Sequence, residues 1–148
     1  MPDLPGTTPN NPKRVLSLDV GDARIGLAGS DETGTLASPM PAVTRTDPGS
    51  DVDAIAEAAA SIDANLILAG LPRSLDGSIG PQARKVQGFI RLLRDAGLTV
   101  ETWDERFSTV EATRGLQASG AQPSRDRGRL DSAAAAVILQ GYLDAARL

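Results

Sequence analysis

Three carboxylates stand at places in the sequence from which they could do chemistry. Asp19 lies near the end of a β-branched and aliphatic run, Glu105 follows a second extended run, and Asp131 precedes an alanine-rich segment. The chain has no histidine and no cysteine, which excludes thiolate nucleophiles, the usual zinc ligands and histidine acid–base catalysis. Any catalysis must therefore use carboxylates, hydroxyls, lysine or arginine, and carboxylates favour hard divalent cations such as Mg²⁺ or Mn²⁺.

Each of these acids also has an ordinary structural explanation. The segment Asp19-Val20-Gly21-Asp22 has the composition of a hairpin turn. Glu105 is explained as a solvated strand end that pairs with Arg106, and Asp131 as a helix N-cap, a position where aspartate is favoured. Taken alone, Glu105 is better explained in this way, whereas Asp19 and Asp131 stay open between the two interpretations.

The spacing of neighbouring residues indicates which acids could meet. Asp19 shares a strand face with Ser17, and a charge beside the middle of a sheet is costly unless it is paired or binds metal. Asp131 heads an apolar helical stripe that comprises Ala134, Ala135, Ile138, Leu139 and Tyr142. Strand alternation points Asp104 and Glu105 to opposite faces, so we expect only one of them at a shared metal. The three carboxylates could converge at the carboxyl ends of parallel strands, where the sites of α/β proteins tend to form.

The charge distribution bears on the class of partner. The net charge is −4, which by itself argues against a phosphate-rich partner. Only four basic residues precede Ile67 and eleven follow from it onward, where Arg84 and Lys85 form one cluster. Arg125, Arg127 and Arg129 form another. A basic face is therefore compatible with an acidic total, while an aromatic content of 3% predicts recognition of backbone and shape instead of base stacking.

The hydrophobic pattern predicts a tail followed by one domain. Residues 1–13 have a disordered composition, and residues 14–148 are expected to form a single domain. The helix predicted at Pro81–Ala96 carries an apolar stripe of Phe89, Leu92, Leu93 and Ala96. The other predicted elements are strands at Val15–Val20, Ile25–Ser30, Thr35–Val43, Leu66–Gly70 and Thr99–Asp104, and helices at Asp51–Ile62, Ser108–Ser119 and Arg129–Arg147.

This order of elements predicts an α/β fold of the ribonuclease H-like type. Short loops make the first three strands antiparallel neighbours, and the following strand–helix units add parallel strands. The result is a mixed five-stranded sheet with helices on both faces. Pro39 and Pro41 suit the third strand to an edge position.

Six short motifs in a fixed order resemble the YqgF/RuvX family, bacterial ribonuclease H-like proteins related to the Holliday junction resolvase RuvC. The resemblance extends from Arg14 to about Tyr142. The motifs are Leu18-Asp19-Val20-Gly21, Arg24-Ile25-Gly26, Gly70-Leu71-Pro72, Asp76-Gly77-Ser78, Asp104-Glu105-Arg106-Phe107-Ser108-Thr109, and Asp131-Ser132-Ala133-Ala134 with Ile138-Leu139-Gln140. Arg73-Ser74 departs from the family pattern, which leaves the contacts of that loop open.

The resemblance implies a metal-dependent nuclease. Asp19, Glu105 and Asp131 correspond to its metal ligands and would hold two Mg²⁺ or Mn²⁺ ions about 3.5–4 Å apart. The family is associated with maturation of the 5′ end of 16S ribosomal RNA and, for some members, with cutting of four-way DNA junctions. Candidates for phosphate contacts are Arg24, Arg106, Arg125, Arg127 and Arg129, although solvated surface charge explains any single one of them.

Two other functions compete with the nuclease. A fragment of the actin, Hsp70 and sugar-kinase class shares the Asp-x-Gly opening but needs a second domain, for which 148 residues leave no room. A catalytically silent nucleic-acid-binding module in transcription or ribosome assembly is the second, and the presence of all three acids argues against it. We further expect a cytoplasmic protein without a membrane segment, which is a monomer or weak homodimer able to dimerise on junction DNA.

Overall fold

A computed structural model of the chain describes residues 14–74, 76–107 and 132–146. The strands are β1 (Val15–Val20), β2 (Arg24–Ser30), β3 (Ala37–Thr44), β4 (Leu66–Leu71) and β5 (Val100–Asp104), and the helices are α1 (Pro48–Ser61), α2 (Pro81–Asp95) and α3 (Ala133–Ala146). The tail predicted at residues 1–13 and the helix predicted at Ser108–Ser119 lie outside the described ranges.

One five-stranded sheet organises the described residues, with the strand order β3-β2-β1-β4-β5. β1 pairs antiparallel with β2, and β2 pairs antiparallel with β3. β1 and β4 run parallel, as do β4 and β5. The predicted mixed sheet is therefore confirmed, and β3 takes the edge position that its prolines suggested.

Helices cover both faces of this sheet. Leu16 and Leu18 of β1 belong to a core cluster that includes the buried residues of α1 and α2. Val15, on the alternate face, belongs to a second cluster with the buried residues of α3. All six residues of β4 are buried, as expected of a strand that is covered on both sides.

α1 begins earlier than the sequence predicted. The Asp47 side chain accepts a hydrogen bond from Ser50 N at 2.9 Å and caps the helix. Pro48 occupies the first turn, where it loses no helical hydrogen bond. Asp51, the predicted first residue of the helix, lies within the first turn and is buried.

The apolar stripe of α2 also differs from the prediction. Leu92 has 41% of its surface exposed, and Ala96 is exposed as well. The buried residues are Ala83, Val86, Phe89, Ile90 and Leu93. Their spacing of three and four residues centres the stripe on Val86, Ile90 and Leu93, which turns Leu92 outward. The helix ends at Asp95, and Gly97 follows its C-cap residue with a φ of +93°, in keeping with the prediction that this glycine terminates the helix.

Candidate active site

Asp19 lies near the carboxyl end of β1 on the face that α3 covers. Ser17, two residues earlier on the same face, donates a hydrogen bond from Oγ to Ala135 O at 2.7 Å. Asp19 itself pairs with Gly26 of β2 and lines a cleft at this end of the sheet. The side chain is partly exposed, so it is accessible from the cleft.

Glu105 lines the same cleft from a 3₁₀ turn, Glu105–Phe107, that follows β5. It is 7% exposed. Its Oε2 lies 2.8 Å from the point that a Cβ on Gly70 would occupy. Because Ala69 pairs with Leu18, Gly70 is level with Asp19 on the neighbouring strand, about 4.8 Å away. The carboxylates of Asp19 and Glu105 therefore face one space.

The cleft has a volume of about 300 Å³. The β1–β2 turn and α2 complete its walls: Gln82 of α2 donates from Nε2 to Val20 O at 3.3 Å. A Cβ on Gly21 would lie 2.8 Å from Arg24 O, so the turn requires glycine there. The cleft is lined by Asp19, Val20, Gly21, Asp22, Gly70, Pro72, Gln82, Val86 and Glu105.

Arg45, which the sequence did not single out, holds the β1–β2 turn against two helices. Its Nη1 donates to Gly21 O at 2.9 Å, and its Nε pairs with the buried Asp51 carboxylate at 3.2 Å. The guanidinium carbon lies 5.1 Å from the centroid of the Phe89 ring, a cation–π contact. The turn that bounds the cleft is thus fixed to both α1 and α2.

Asp104 pairs with arginine side chains and does not line the cleft, in contrast to Glu105. It accepts hydrogen bonds from Arg106, the shortest from Nη2 at 2.6 Å, and lies 4.0 Å from Nε of Arg73. The hydrogen bonds from Arg106 hold the pKa of Asp104 below its usual value. Glu105 lines the cleft and Asp104 does not, as alternation predicted, although the turn after β5 contributes to the separation.

Arg106 is consequently engaged in holding loops together. Besides its pairing with Asp104, its Nη1 lies 3.3 Å from the position that a Cβ on Gly77 would take. Gly77 has a φ of +87°, so glycine permits both the backbone conformation and the close approach. Contact between Arg106 and a phosphate would compete with this ion pair.

Ser132 anchors the start of α3, and no feature of the sequence singles it out beyond its place after Asp131. The β2–β3 register shifts between Ile25 and Leu27, a β-bulge. At this bulge Leu27 N donates to Ser132 Oγ at 3.0 Å, and the hydroxyl donates to Met40 O at 2.6 Å. The fully buried hydroxyl therefore joins α3 to β2 and β3.

α3 runs antiparallel to β1. Ala135 contacts the middle of β1 through Ser17, whereas Gln140 accepts from Ala37 N at 3.0 Å. Ala37 pairs with the last residue of β2, level with the start of β1. The first turn of α3 is therefore at the end of β1 that carries Asp19. The predicted stripe is buried at Ala134, Ala135, Ile138 and Leu139, and Tyr142 is partly buried.

The remaining predicted residues are placed as follows. Arg24 begins β2, and its carbonyl accepts from Gly21 N at 2.9 Å. Of the three predicted metal ligands, Asp19 and Glu105 line one cleft. The others lie outside the described ranges: Asp131, Arg125, Arg127 and Arg129.

Comparison with known proteins identifies similar sequences. A family model described as "RuvX: Holliday junction resolvase" matches residues 13–145. A protein of Gloeobacter violaceus named "Putative pre-16S rRNA nuclease" is 44% identical over 134 residues, which cover 90% of this chain and 85% of that one. A protein of the same name from Halothermothrix orenii is 40% identical over 132 residues, covering 88% and 94% of the two chains.

Solved structures share the fold at low sequence identity. RuvC of T. thermophilus in complex with a Holliday junction substrate has a TM-score of 0.57 and 15% identity, covering 92% of this chain and 96% of that chain. The yeast mitochondrial Holliday junction resolvase Ydc2 has a TM-score of 0.53 and 14% identity, covering 92% and 80%. These likenesses confirm the ribonuclease H-like fold class.

Proposed function

The chain belongs to the RuvX family, and from that premise we propose that it is a divalent-metal-dependent endonuclease that hydrolyses phosphodiester bonds in structured nucleic acid. The observation that carries this proposal is that Asp19 and Glu105 line one cleft at the carboxyl end of parallel strands. Sites of α/β proteins tend to form at this edge.

The donor set of the cleft fits Mg²⁺ or Mn²⁺. Carboxylate oxygens are the ligands these ions favour, and a bound cation offsets the cost of burying a carboxylate such as Glu105. Gly70 has no side chain and therefore leaves room for that carboxylate. When bound, the cations would supply charge stabilisation at the scissile phosphate and activation of water. We assign Asp19, Glu105 and Asp131 as the groups that hold them.

The assignment of Asp131 rests on its covalent neighbour. Within the ranges 14–74, 76–107 and 132–146, no group of three acidic residues forms a metal site, so the proposed set needs a ligand from beyond them. The Ser132 hydroxyl accepts a hydrogen bond from Leu27 N. Leu27 of β2 pairs with Leu18 of β1, and Leu18 directly precedes Asp19. Asp131 directly precedes Ser132 in the sequence, so the proposed third ligand adjoins a residue that is anchored beside this end of β1.

The substrates that we propose are precursor 16S ribosomal RNA and four-way DNA junctions. The names of the relatives support the first, and the description of the family supports the second.

We propose Arg24 and the segment with Arg125, Arg127 and Arg129 as phosphate contacts, with residues 14–148 acting as one domain. No helix in the described part of the chain is long and apolar enough to span a membrane. Because precursor 16S ribosomal RNA is one of the proposed substrates, we propose that the enzyme acts in the cytoplasm.

Metal dependence tests this function. The purified protein is incubated with a labelled four-way junction and with precursor 16S RNA, side by side, in Mg²⁺, in Mn²⁺ or in excess chelator. We expect cleavage of at least one substrate that is lost in chelator and restored by adding either cation. Binding of both substrates without metal-dependent cleavage would contradict the proposal and indicate a silent binding module.

A further inference from the structure

The exposed face of α2 is strongly basic in an otherwise acidic chain. It presents Arg84, Lys85, Arg91 and Arg94 against a single acid, Asp95, while the whole chain has a net charge of −4. We propose that this face, with the groove beside it, binds the phosphate backbone of the substrate nucleic acid where that backbone extends beyond the cleft. The inference rests on the proposed function and adds a second contact surface to it.

A groove of about 480 Å³ runs between α2 and the β4–β5 side of the sheet. Its charged lining consists of three guanidinium groups, from Arg73, Arg91 and Arg94, and one carboxylate, from Asp95. Gln87 and Thr102 supply neutral polar groups. A surface with this excess of positive charge and hydrogen-bond donors is complementary to phosphate oxygens.

The groove adjoins the candidate active site. Val86 lines the cleft, and the next residue, Gln87, lines the groove. In the same way Pro72 lines the cleft and Arg73 lines the groove. α2 is therefore the wall between the two spaces, so one nucleic acid that occupies the cleft can also contact the groove.

The cations of α2 extend along the helix over a distance that matches several nucleotides of backbone. Lys85 lies at the mouth of the cleft, where its Nζ is 3.5 Å from Asp22 Oδ1. From Lys85 to Arg94 the helix rises about 14 Å, at about 1.5 Å per residue. Single strands of B-form DNA rise about 3.4 Å per nucleotide, so the face corresponds to about four nucleotides of backbone.

Helix stability does not explain the positive charges at the amino-terminal end of α2, although the helix dipole favours Arg94 in its last turn. Arg84 and Lys85 lie close to the amino terminus of α2, where the helix dipole disfavours cations. Arg91 and Arg94 are three residues apart, a spacing at which like charges repel. Among the described residues, Arg84 and Arg91 form no ion pair. Arg94 does have a structural contact, from Nη2 to Val100 O at 2.7 Å, and is left out of the test.

The test compares two variants with the same change in net charge. Arg84→Gln with Arg91→Gln removes two cations from the face, and Ala60→Asp with Ser61→Asp adds two anions to exposed positions of α1. Binding of a labelled four-way junction is measured by fluorescence anisotropy in chelator across a series of salt concentrations. Circular dichroism checks that both variants fold.

We expect the α2 variant to bind more weakly and to lower the slope of log affinity against log salt by up to about 1.8, at about 0.9 per lost duplex contact. The α1 variant should keep the slope of the unmodified protein. A slope unchanged in the α2 variant, or lowered equally in both variants, would overturn the inference.

The experiment distinguishes an error in the proposed binding groove from an error in the proposed nuclease function. Arg84 and Arg91 lie outside the cleft, so the α2 variant should still cut in a metal-dependent way, with a KM raised by its weaker binding. Metal-dependent cutting with an unchanged salt slope would refute the groove alone. A lowered slope in a protein that never cuts would refute the nuclease and leave the groove as a binding surface.

Discussion

Gly70 matters to the cleft as much as its acids do, because the Glu105 carboxylate occupies space that any side chain at position 70 would fill. A Cβ there would also collide with Ile138 of α3. The sequence identified Asp19 and Glu105 through strand patterning and family motifs. It did not reveal the need for Gly70, because that need arises only when β4, α3 and the turn after β5 pack together.

Gly70→Ala should therefore damage both stability and cleavage. Overpacking of this kind costs about 1–3 kcal/mol, measured as the loss in free energy of unfolding by urea denaturation. Gly88→Ala on α2 is the matched control, since a Cβ there meets nothing within 4 Å and a helical glycine-to-alanine change stabilises by up to about 1 kcal/mol. A Gly70→Ala protein with unmodified stability and full activity would contradict this packing argument.

At the level of elements, α3 begins beside the bulge between β2 and β3. The hydroxyl of Ser132 bonds at that bulge to Leu27 and Met40. Simple periodicity predicted β1, β4 and α2 because each has a long apolar run or stripe. It could not predict the bulge, the 3₁₀ turn at Glu105 or the first turn of α1, which depend on capping and on contacts between elements distant in sequence.

Ser132→Ala should weaken the start of α3. The change leaves the Leu27 amide and the Met40 carbonyl without this hydroxyl, and an unsatisfied buried polar group costs about 1–3 kcal/mol. We expect a loss of that size in the free energy of unfolding and a larger fall in cleavage, because Asp131 adjoins the anchor. Ser61→Ala, at an exposed serine, is the control. Equal, small effects from both changes would show that the anchor does not position the site.

At the scale of the whole molecule, a single cleft lined by Asp19 and Glu105 in the described part of the chain constrains the reaction. Resolution of a four-way junction requires two coordinated cuts on opposing strands and hence a twofold dimer, whereas maturation of an RNA end requires one cut. The β3 edge carries Pro39 and Pro41, which disfavour strand pairing between chains. Aromatic residues, frequent anchors of interfaces, make up only 3% of the sequence.

We therefore predict a monomer or weak homodimer in solution that assembles two chains on a junction. Sedimentation velocity of the free protein, and of its complex with a four-way junction in chelator, measures both states. A complex of one chain per junction, together with efficient cutting of precursor RNA, would contradict the junction-resolving role and leave the RNA-processing one.

Cleavage by carboxylate variants under single-turnover conditions tests the central claim most directly. The claim is that Asp19 and Glu105 jointly hold the catalytic cations. In saturating Mn²⁺, Asp19→Asn and Glu105→Gln should each abolish cleavage while the circular dichroism spectrum is unchanged. Asp104→Asn, at a carboxylate that binds Arg106, and Asp53→Asn, at an exposed acid of α1, should retain most of the rate. Full cleavage by folded Asp19→Asn, or equal losses from Glu105→Gln and Asp104→Asn, would contradict the claim.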